Sequence, residues 1–305
     1  MVADLQLHTE ASDGENTVEE RVEQAKKKEV DLDTIAITDH DTINPKLNAG
    51  SQVINGVEVI TGAEIKCEVN GTSIEILGYF LDPEDPSLQD LFDQMGENRE
   101  ERMQEMVERV NEGENLDLDY EKDIKYHANG TVGRPHLGMA LEKAGIADSV
   151  NEAFEKYIGE EANTDYYVET EKLGAEEVIA AIHDSGGVAS LSHPGRDLPY
   201  TEAENLVGQL AEYGIDGLEV WYTYKHKIED GFDISFAEYL QEERGMEDSE
   251  KIAETIQAEV EELAEEYNLI KTGGSDCHGE GSGKYNIGKI QLEEKQLNNL
   301  RKARA

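Results

Sequence analysis

Basic residues are scarce in this sequence of 305 residues, which has 27 Lys and Arg against 69 Asp and Glu and a formal net charge of −42. So large an imbalance destabilises a compact chain through self-repulsion unless salt screens the charges. The acidic residues are spread along patterned segments rather than gathered in one tail, which argues against a disordered acidic chain. We therefore expect a folded, halophilic protein that is adapted to molar salt.

The sequence also lacks the features of secreted and membrane proteins. Cys67 and Cys277 are its only cysteines, and they form no CxxC pair, so a disulfide framework is excluded. No apolar run reaches the length of a transmembrane helix, and nothing resembles a signal peptide. We expect a cytoplasmic protein. Its acidic surface should repel duplex nucleic acid and anionic membranes, which favours a small molecule as its partner.

Strand-like and helix-like segments alternate in residues 1–82 and again in residues 169–305. The first helix begins with Thr17 and Glu20 in capping-box spacing. Seven or eight predicted strands, mostly separated by helices, indicate a parallel α/β architecture that closes into a barrel. Residues 83–168 are mostly helical by pattern and are predicted to form an inserted subdomain that caps the substrate.

Chemically reactive side chains recur where the predicted strands end. VEVITGAEI, for example, predicts a strand and then a turn, with Glu64 just past the strand. The residues at or just past such ends are His8, Asp13, Asp39, His40, Glu64, His193, Asp276 and His278. In a parallel barrel these ends form one face, and His, Asp and Glu together are ligands for divalent metals. Any one of them alone is more often a hydrogen-bonded histidine or a helix-capping aspartate, so the prediction rests on the joint pattern.

Seven stretches occur in the order in which one family carries them: DLQLHTEASDG, AITDHDT, GAEI, EILGYFLD, GRPHLGMAL, SLSHPGR and GGSDCHG. Through them the chain resembles the PHP (polymerase and histidinol phosphatase) family, specifically its stand-alone metal-dependent phosphoesterases. The resemblance covers nearly the whole chain. It implies a distorted (β/α)7-type barrel with a helical insertion and two or three divalent metal ions at the C-terminal mouth of the barrel.

The resemblance also implies which residues bind metal. A first ion would be held by Gln6, His8, Glu64 and Asp276; a second by Glu64 as a bridge with Glu75 and His193; and a third by Asp13, His40 and His278. The family usually has histidine at position 6 and often at position 75. Because Gln6 and Glu75 replace nitrogen by oxygen, we expect manganese to be favoured among manganese, magnesium, iron and zinc. The alternative for Gln6 is a hydrogen bond to a bound water or to a neighbouring ligand.

Two arginines stand out because basic residues are scarce. Arg134 begins the GRPH motif and Arg196 ends HPGR. Arginine binds phosphate through two parallel hydrogen bonds, and the family resemblance places GRPH over the mouth of the active site. His136 in the same motif is expected to contact a phosphate or to donate a proton to a leaving group. The alternative is that each arginine only pairs with an acidic neighbour.

These residues predict a hydrolase. We expect hydrolysis of a phosphate monoester of a small nucleotide, such as a nucleoside 3′,5′-bisphosphate, or of a short oligonucleotide 5′ end, by a metal-activated hydroxide. Glu64 would bridge metals, and Asp276 and His278 would fix their geometry. The alternative function is a catalytically weak or silent metal- or nucleotide-binding PHP module. Gln6 favours that alternative, and the seven positions that match the family disfavour it.

The charge predicts a dependence of stability on salt. Lowering NaCl from about 1 M to about 0.1 M lengthens the Debye length from about 3 Å to about 10 Å, so repulsion among the acidic side chains should lower the melting temperature. Thermal unfolding followed by circular dichroism at the two concentrations measures this change. An equal melting temperature at both would contradict the expected salt adaptation.

Overall fold

The computed structural model describes residues 2–127 and 132–304. The strands are β1 Val2–Leu7, β2 Thr34–Ile37, β3 Ser51–Ile54, β4 Val57–Val69, β5 Thr72–Tyr79, β6 Leu173–Gly174, β7 Val188–Leu191, β8 Gly217–Trp221, β9 Ile270–Gly273 and β10 Leu292–Glu293. The α-helices are α1 Val18–Ala25, α2 Pro86–Glu114, α3 Arg134–Lys143, α4 Val150–Ala153, α5 Ala175–Asp184, α6 Pro194–Asp197, α7 Ala203–Glu212, α8 Tyr224–Glu229, α9 Ser235–Glu242, α10 Ser249–Glu266 and α11 Glu294–Ala303. Shorter helical turns are Tyr120–Ile124, Lys125–His127 and Phe154–Ile158.

The strands form one nearly closed, barrel-like sheet. Their order is β10-β1-β2-β4-β5-β7-β8-β9, with β3 and β6 also pairing with β4. The segment after β9 returns to β1, because the Asp276 amide donates to the Gln6 carbonyl at 3.0 Å and the His8 amide donates to the Cys277 carbonyl at 3.1 Å. The predicted α/β barrel is therefore confirmed.

The sheet is mixed rather than parallel throughout, which corrects the predicted parallel architecture. β1–β2, β2–β4, β4–β6, β7–β8 and β8–β9 are parallel, whereas β1–β10, β3–β4, β4–β5 and β5–β7 are antiparallel. The reversal arises at the two-residue turn Asn70-Gly71, which makes β4 and β5 a hairpin. The last strand, β10, is a short edge strand of two residues, Leu292–Glu293.

The turn predicted before Glu64 is also absent. β4 runs without a break from Val57 to Val69, so Glu64 lies in the middle of a strand rather than after one. Gly62 serves close packing instead, since a Cβ atom there would lie 2.6 Å from the Gly78 carbonyl oxygen on β5. A glycine can thus mark the close approach of two backbones as well as a turn.

Helix α1 forms for the reason its sequence suggests. The Thr17 hydroxyl accepts from the Glu20 amide at 3.1 Å, and the Glu20 carboxylate accepts from the Thr17 amide at 2.8 Å, which completes the predicted capping box. Val18, Val22 and Ala25 are fully buried in one hydrophobic cluster with side chains of β1, β2 and β4. The capped end and the apolar stripe together fix α1 against the sheet.

The chain divides into two compact units. The first contains the sheet and comprises Met1–Leu91 and Leu173–Ala305; the second, Phe92–Lys172, is helical. The second unit has its own hydrophobic core, in which Met103, Met106 and Val110 of α2 are buried with Leu137 and Leu141 of α3. The predicted boundaries of the insertion, residues 83–168, stay a prediction. Within the described residues, no helix is both long and apolar enough to cross a bilayer.

A buried arginine joins the ends of two strands. Arg21 on α1 is fully buried and donates to the His8 carbonyl at 2.9 Å and 2.7 Å and to the Cys277 carbonyl at 3.0 Å. Its remaining contacts are with Gln24 and the sulfur of Cys277. Arg21 therefore holds the segment after β1 against the segment after β9, where several predicted ligands lie.

Replacing Arg21 should destabilise the fold strongly. Arg21→Met leaves two buried carbonyl oxygens without their donors, which should lower the free energy of unfolding by about 2–4 kcal/mol. Chemical denaturation at fixed salt measures this change. Arg244→Met is the matched control, because Arg244 is half-exposed and pairs with Glu259 at the surface. Equal losses in the two variants would show that Arg21 does not join the two segments.

A buried aspartate makes the same junction sensitive to pH. Asp4 on β1 is fully buried and accepts from the Ser275 amide at 2.9 Å. Burial raises the pKa of Asp4 to about 6, against an ordinary value of 3.8. Because the folded state prefers the protonated form, the contribution of Asp4 to stability is complete below pH 3.8 and is lost as the pH rises through about 6.

Asp4→Asn should remove part of the pH dependence of stability. Between about pH 5 and about pH 7, the wild-type free energy of unfolding should fall by about 1 kcal/mol more than that of the variant. Urea denaturation across this range, with chelator present, measures the difference. Asp90→Asn at an exposed position of α2 is the control. The same slope in wild type and Asp4→Asn would refute the assignment to Asp4.

Candidate metal centre

The structure brings eight of the nine predicted metal ligands into three overlapping groups. In each group the potential ligand atoms lie within 4.8 Å of one another. Among residues 2–127 and 132–304, the groups are His8, Asp13, His40 and His278; His8, Glu64 and Asp276; and Glu64, Glu75 and His193. His8 and Glu64 are each shared by two groups. The ninth predicted ligand, Gln6, contacts the second and third groups through Glu64.

Glu64 lies at the centre, and its two carboxylate oxygens have different surroundings. Oε1 accepts from the Ser192 hydroxyl at 2.5 Å and lies 3.0 Å from His193 Nε2. Oε2 lies 3.2 Å from His8 Nε2 and 3.4 Å from His40 Nδ1, but no hydrogen bond satisfies it among the described residues. One oxygen is thus held by the protein, and the other faces imidazole nitrogens from two strand ends.

Gln6 contacts Glu64 Oε1, the oxygen that is hydrogen-bonded by the protein. Its amide Nε2 donates to Glu64 Oε1 at 2.8 Å and lies 3.1 Å from the Ser192 hydroxyl. The reverse orientation of the amide would place two acceptors, Gln6 Oε1 and Glu64 Oε1, against each other. In the observed orientation Oε1 of Gln6 is buried without a hydrogen-bond partner in the described chain. The hydrogen bond to a neighbouring ligand, one of the alternatives for Gln6, is therefore present, and metal binding by Gln6 stays a prediction.

The group of three histidines forms a stack around Asp13. The His8 and His278 rings are stacked with centroids 4.1 Å apart, and the His40 ring lies 4.5 Å from that of His8. Asp13 Oδ1 lies 3.3 Å from His278 Nε2, and Asp13 Oδ2 lies 3.9 Å from His40 Nε2. Half of the Asp13 side chain is exposed, so this group lies at the solvent side of the centre.

Arg196 is tied to a predicted ligand. Its guanidinium donates to Glu75 Oε2 at 2.6 Å and to both oxygens of Asp197, at 2.7 Å and 3.2 Å. Glu75 in turn reaches His193, with Oε2 and Nε2 3.5 Å apart. The acidic partners weighed as an alternative for Arg196 are therefore present. Binding of a substrate phosphate by Arg196 would have to compete with them.

The electrostatics of the centre strongly favour added positive charge. Burial alone would lower the pKa of His8, yet the nearby carboxylates of Asp276 and Glu64 raise it to about 10. His193 likewise reaches about 10, because Asp197 and Glu64 outweigh burial and Arg196 in setting its pKa. Burial opposes ionisation of Glu64, but His40, His193 and His8 hold its pKa well below the usual range. A divalent cation supplies this positive charge with the imidazoles neutral.

The donor atoms fit such an ion. His8 Nδ1, His8 Nε2 and Glu64 Oε2 are buried without hydrogen bonds in the part of the chain that the structure describes. A buried polar atom without a partner costs about 1–3 kcal/mol, so native proteins satisfy such atoms with protein, water or metal. Imidazole nitrogens and carboxylate oxygens that converge at 3.2–3.3 Å without hydrogen-bond geometry are a ligand set for a divalent metal.

Several supporting residues were missed by the sequence analysis. Asp39, recognised only as a strand-end residue, accepts from the Thr9 amide at 2.7 Å and the Ser12 hydroxyl at 2.7 Å, so it shapes the loop between His8 and Asp13. The pattern of polar and apolar residues could not identify this role, because it does not tell a polar side chain inside a barrel from one in solvent.

The backbone at two of the ligands is held in an uncommon conformation. His193 and Asp276 have φ angles of 26° and 54°, in the left-handed region that side chains other than glycine rarely adopt. Glu219 of β8, fully buried, accepts from the His193 amide at 2.9 Å and supports the first of them. A charged residue in the middle of an apolar strand, as in GLEVW, was the signal for Glu219.

The two lysines of α8, Lys225 and Lys227, have different surroundings. Lys225 is partly exposed and pairs with Glu250 at 3.3 Å, but Lys227 is 3% exposed and points inward. Its Nζ lies 2.9 Å from Asp276 Oδ2. The helix α8 turns Lys227 away from solvent, and its side chain lies near the Phe232 ring, 5.0 Å from the centroid.

Arg134 and His136, predicted to bind substrate, lie in the second unit at the start of α3. Arg134 lies over the rings of Phe154 and Tyr167, and Arg102 also lies over Tyr167, at 5.2–5.4 Å from Cζ to centroid. No carboxylate of the described residues forms an ion pair with either arginine. His136 Nδ1 accepts from the Gly133 amide at 3.0 Å and caps the helix. In so acidic a chain, two neighbouring arginines without carboxylate partners mark a place suited to an anion.

Comparisons with known proteins identify relatives of this chain. The PHP domain family matches residues 4–266. The chain is 33% identical over 224 residues to the 5′-3′ exoribonuclease Rnm of Salmonella typhimurium, covering 72% of this chain and 75% of the relative. It is 24% identical over 288 residues to the 3′,5′-nucleoside bisphosphate phosphatase of Chromobacterium violaceum, covering 93% and 90%.

A solved structure has the same fold. It is a Bifidobacterium adolescentis protein assigned to the metal-dependent phosphoesterases, with a TM-score of 0.67 and 25% identity, and the match covers 99% of this chain and 96% of that one. The named relatives are enzymes that act on phosphate esters, as the sequence analysis predicted for this chain. With a match over most of its length and a mouth of clustered His, Asp and Glu side chains, the chain belongs to the PHP domain family.

Proposed function

We propose that this chain is a metal-dependent phosphoesterase that hydrolyses a phosphate monoester of a small nucleotide or of a short oligonucleotide 5′ end. The observation that carries the proposal is the set of three ligand groups that share His8 and Glu64. Sharing of ligands is what holds several divalent ions close together. Bound ions would lower the pKa of a water molecule and stabilise negative charge on a phosphoryl group.

Different predicted ligands would hold the different ions. Glu64 would bridge two ions, His8 and Asp276 would complete one site, and Glu75 and His193 another. Asp13, His40 and His278 would hold a third ion at the solvent side. Oxygen at Glu75, where relatives often have nitrogen, favours manganese over zinc. We propose that Gln6 acts through Glu64, because its amide donates to the carboxylate oxygen that faces away from His8.

Phosphate recognition is proposed for the arginines. Arg134, with Arg102 beside the same Tyr167 ring, offers guanidinium donors that no carboxylate of the described residues engages. His136 would contact a phosphate or protonate a leaving group. Arg196 would bind a substrate phosphate only if the phosphate replaced Glu75 or Asp197 as its partner. Two relatives named for a nucleoside bisphosphate and for RNA point to nucleotide substrates, and the net charge of −42 favours a small one.

The proposal predicts phosphate release that depends on metal and on Glu64. The intact chain, cleared of metal and reloaded with manganese in molar salt, should hydrolyse a nucleoside 3′,5′-bisphosphate or a 5′-phosphorylated oligonucleotide. Glu64→Gln should lower kcat/KM by more than about 100-fold, because it removes the charge shared between two sites. Phosphate release and metal content per chain are measured together.

Glu68→Gln is the matched control, because Glu68 lies on the same strand, four residues from Glu64, outside all three groups. It should keep nearly full activity and metal content. No turnover of any phosphoester with two or three ions bound would support the alternative, a silent binding module. Absence of bound manganese, or equal activity of the two variants, would refute the proposed centre.

A further inference from the structure

Lys227 is the one buried lysine among the residues that the structure describes. Its side chain is 3% exposed, and its Nζ donates to Asp276 Oδ2 at 2.9 Å. Burial of an ammonium group is costly unless an opposite charge and hydrogen bonds compensate it. Asp276, itself 2% exposed, provides both. The ion pair is therefore a fixed part of the interior rather than a mobile surface contact.

The two carboxylate oxygens of Asp276 have different neighbours. Oδ2 accepts from Lys227 and from the Tyr222 hydroxyl, each at 2.9 Å. Oδ1 faces the other way and lies 3.3 Å from His8 Nε2 and 3.5 Å from His278 Nδ1. With both donors in place, Oδ2 is occupied on the protein side, and Oδ1 is the oxygen that remains for a metal ion.

The same division recurs at the neighbouring carboxylates. Glu64 Oε1 is held by Gln6 and Ser192 while Oε2 faces His8. Glu75 Oε2 is held by Arg196, and its Oε1 lies 3.9 Å from His40 Nδ1. Three carboxylates in one mouth thus each have one oxygen bound by the protein. Of these three, Asp276 is the one restricted to binding a metal through a single oxygen, because Glu64 Oε1 and Glu75 Oε2 also lie 3.0 Å and 3.5 Å from His193 Nε2.

We infer that Lys227 and Tyr222 are positioning residues that make Asp276 a one-oxygen ligand and so select a small six-coordinate ion such as Mn²⁺ against Ca²⁺. Ca²⁺ takes six to eight oxygens at about 2.3–2.6 Å and commonly binds both oxygens of a carboxylate, whereas a smaller ion is satisfied by six single ligands. This inference rests on the proposed metal centre. It adds the residues that set which ion the centre accepts.

The preference for Mn²⁺ over Ca²⁺ distinguishes a positioning role of Lys227 from a simple effect of its charge. Removing the lysine ammonium adds net negative charge to the centre, which should strengthen the binding of every divalent ion by a similar factor. Freeing Oδ2 for a second metal–oxygen bond should favour Ca²⁺ in particular. The ratio of the two dissociation constants, rather than either constant alone, therefore reports the geometry of Asp276.

The test compares Mn²⁺ and Ca²⁺ binding to the intact, metal-free protein by titration calorimetry at fixed molar salt. Lys227→Met should shift the ratio of dissociation constants toward Ca²⁺ by about tenfold, and Tyr222→Phe should shift it in the same direction by less. Lys225→Met is the matched control, because Lys225 lies two residues away and pairs with Glu250 at the surface. Its ratio should equal that of the wild type.

The outcomes distinguish this inference from the proposed function. If Lys227→Met strengthens the binding of both ions equally and the ratio is unchanged, the inference is overturned while the metal centre stands. If the wild type binds neither ion, both are overturned. Should Lys227→Met fail to fold by circular dichroism, Tyr222→Phe decides: a shifted ratio supports the inference, and a wild-type ratio overturns it.

Discussion

The carboxylate of Glu64 is the contact on which the centre depends. Its Oε1 is fixed by Gln6 and Ser192, which come from β1 and from the segment after β7, so two distant parts of the sheet hold one side chain. Its Oε2 is left facing His8 and His40. The barrel brings these strand ends together, so the geometry of the centre depends on the closure of the sheet. Any change that opens the sheet at β1 also releases Glu64.

The distribution of charge follows from this constraint. A chain with a net charge of −42 concentrates part of its few cations around the acidic mouth, where Lys227 and Arg196 each hold one carboxylate oxygen. Buried carboxylates need such partners to remain ionised. Arg21 extends the same principle to the backbone, where it satisfies carbonyl oxygens beside the ligands. The exposed acidic residues face water, where screening by salt governs their repulsion.

The sequence predicted the barrel, the helix α1 with its capping box, and the residues that meet at the mouth, because strand ends and ligand-type side chains are local signals. It failed where long-range packing decides. The extended β4 was misjudged at Gly62, since glycine in a turn and glycine under a neighbouring strand look alike. No local feature of the sequence indicates that Lys227, on a short helix, is buried beside Asp276. The contact of the Gln6 amide with Glu64 could not be predicted, because it joins residues 58 positions apart.

The central claim is that Glu64 Oε2 and Asp276 Oδ1 are available to metal while the protein holds Glu64 Oε1 and Asp276 Oδ2. Anomalous diffraction from crystals loaded with manganese tests it most directly. The account predicts ions within about 2.3 Å of Glu64 Oε2 and Asp276 Oδ1, with Gln6 still donating to Glu64 Oε1 and Lys227 still bound to Asp276 Oδ2. Manganese bound through both oxygens of Asp276, or bound by the Gln6 amide oxygen with its contact to Glu64 broken, would contradict it.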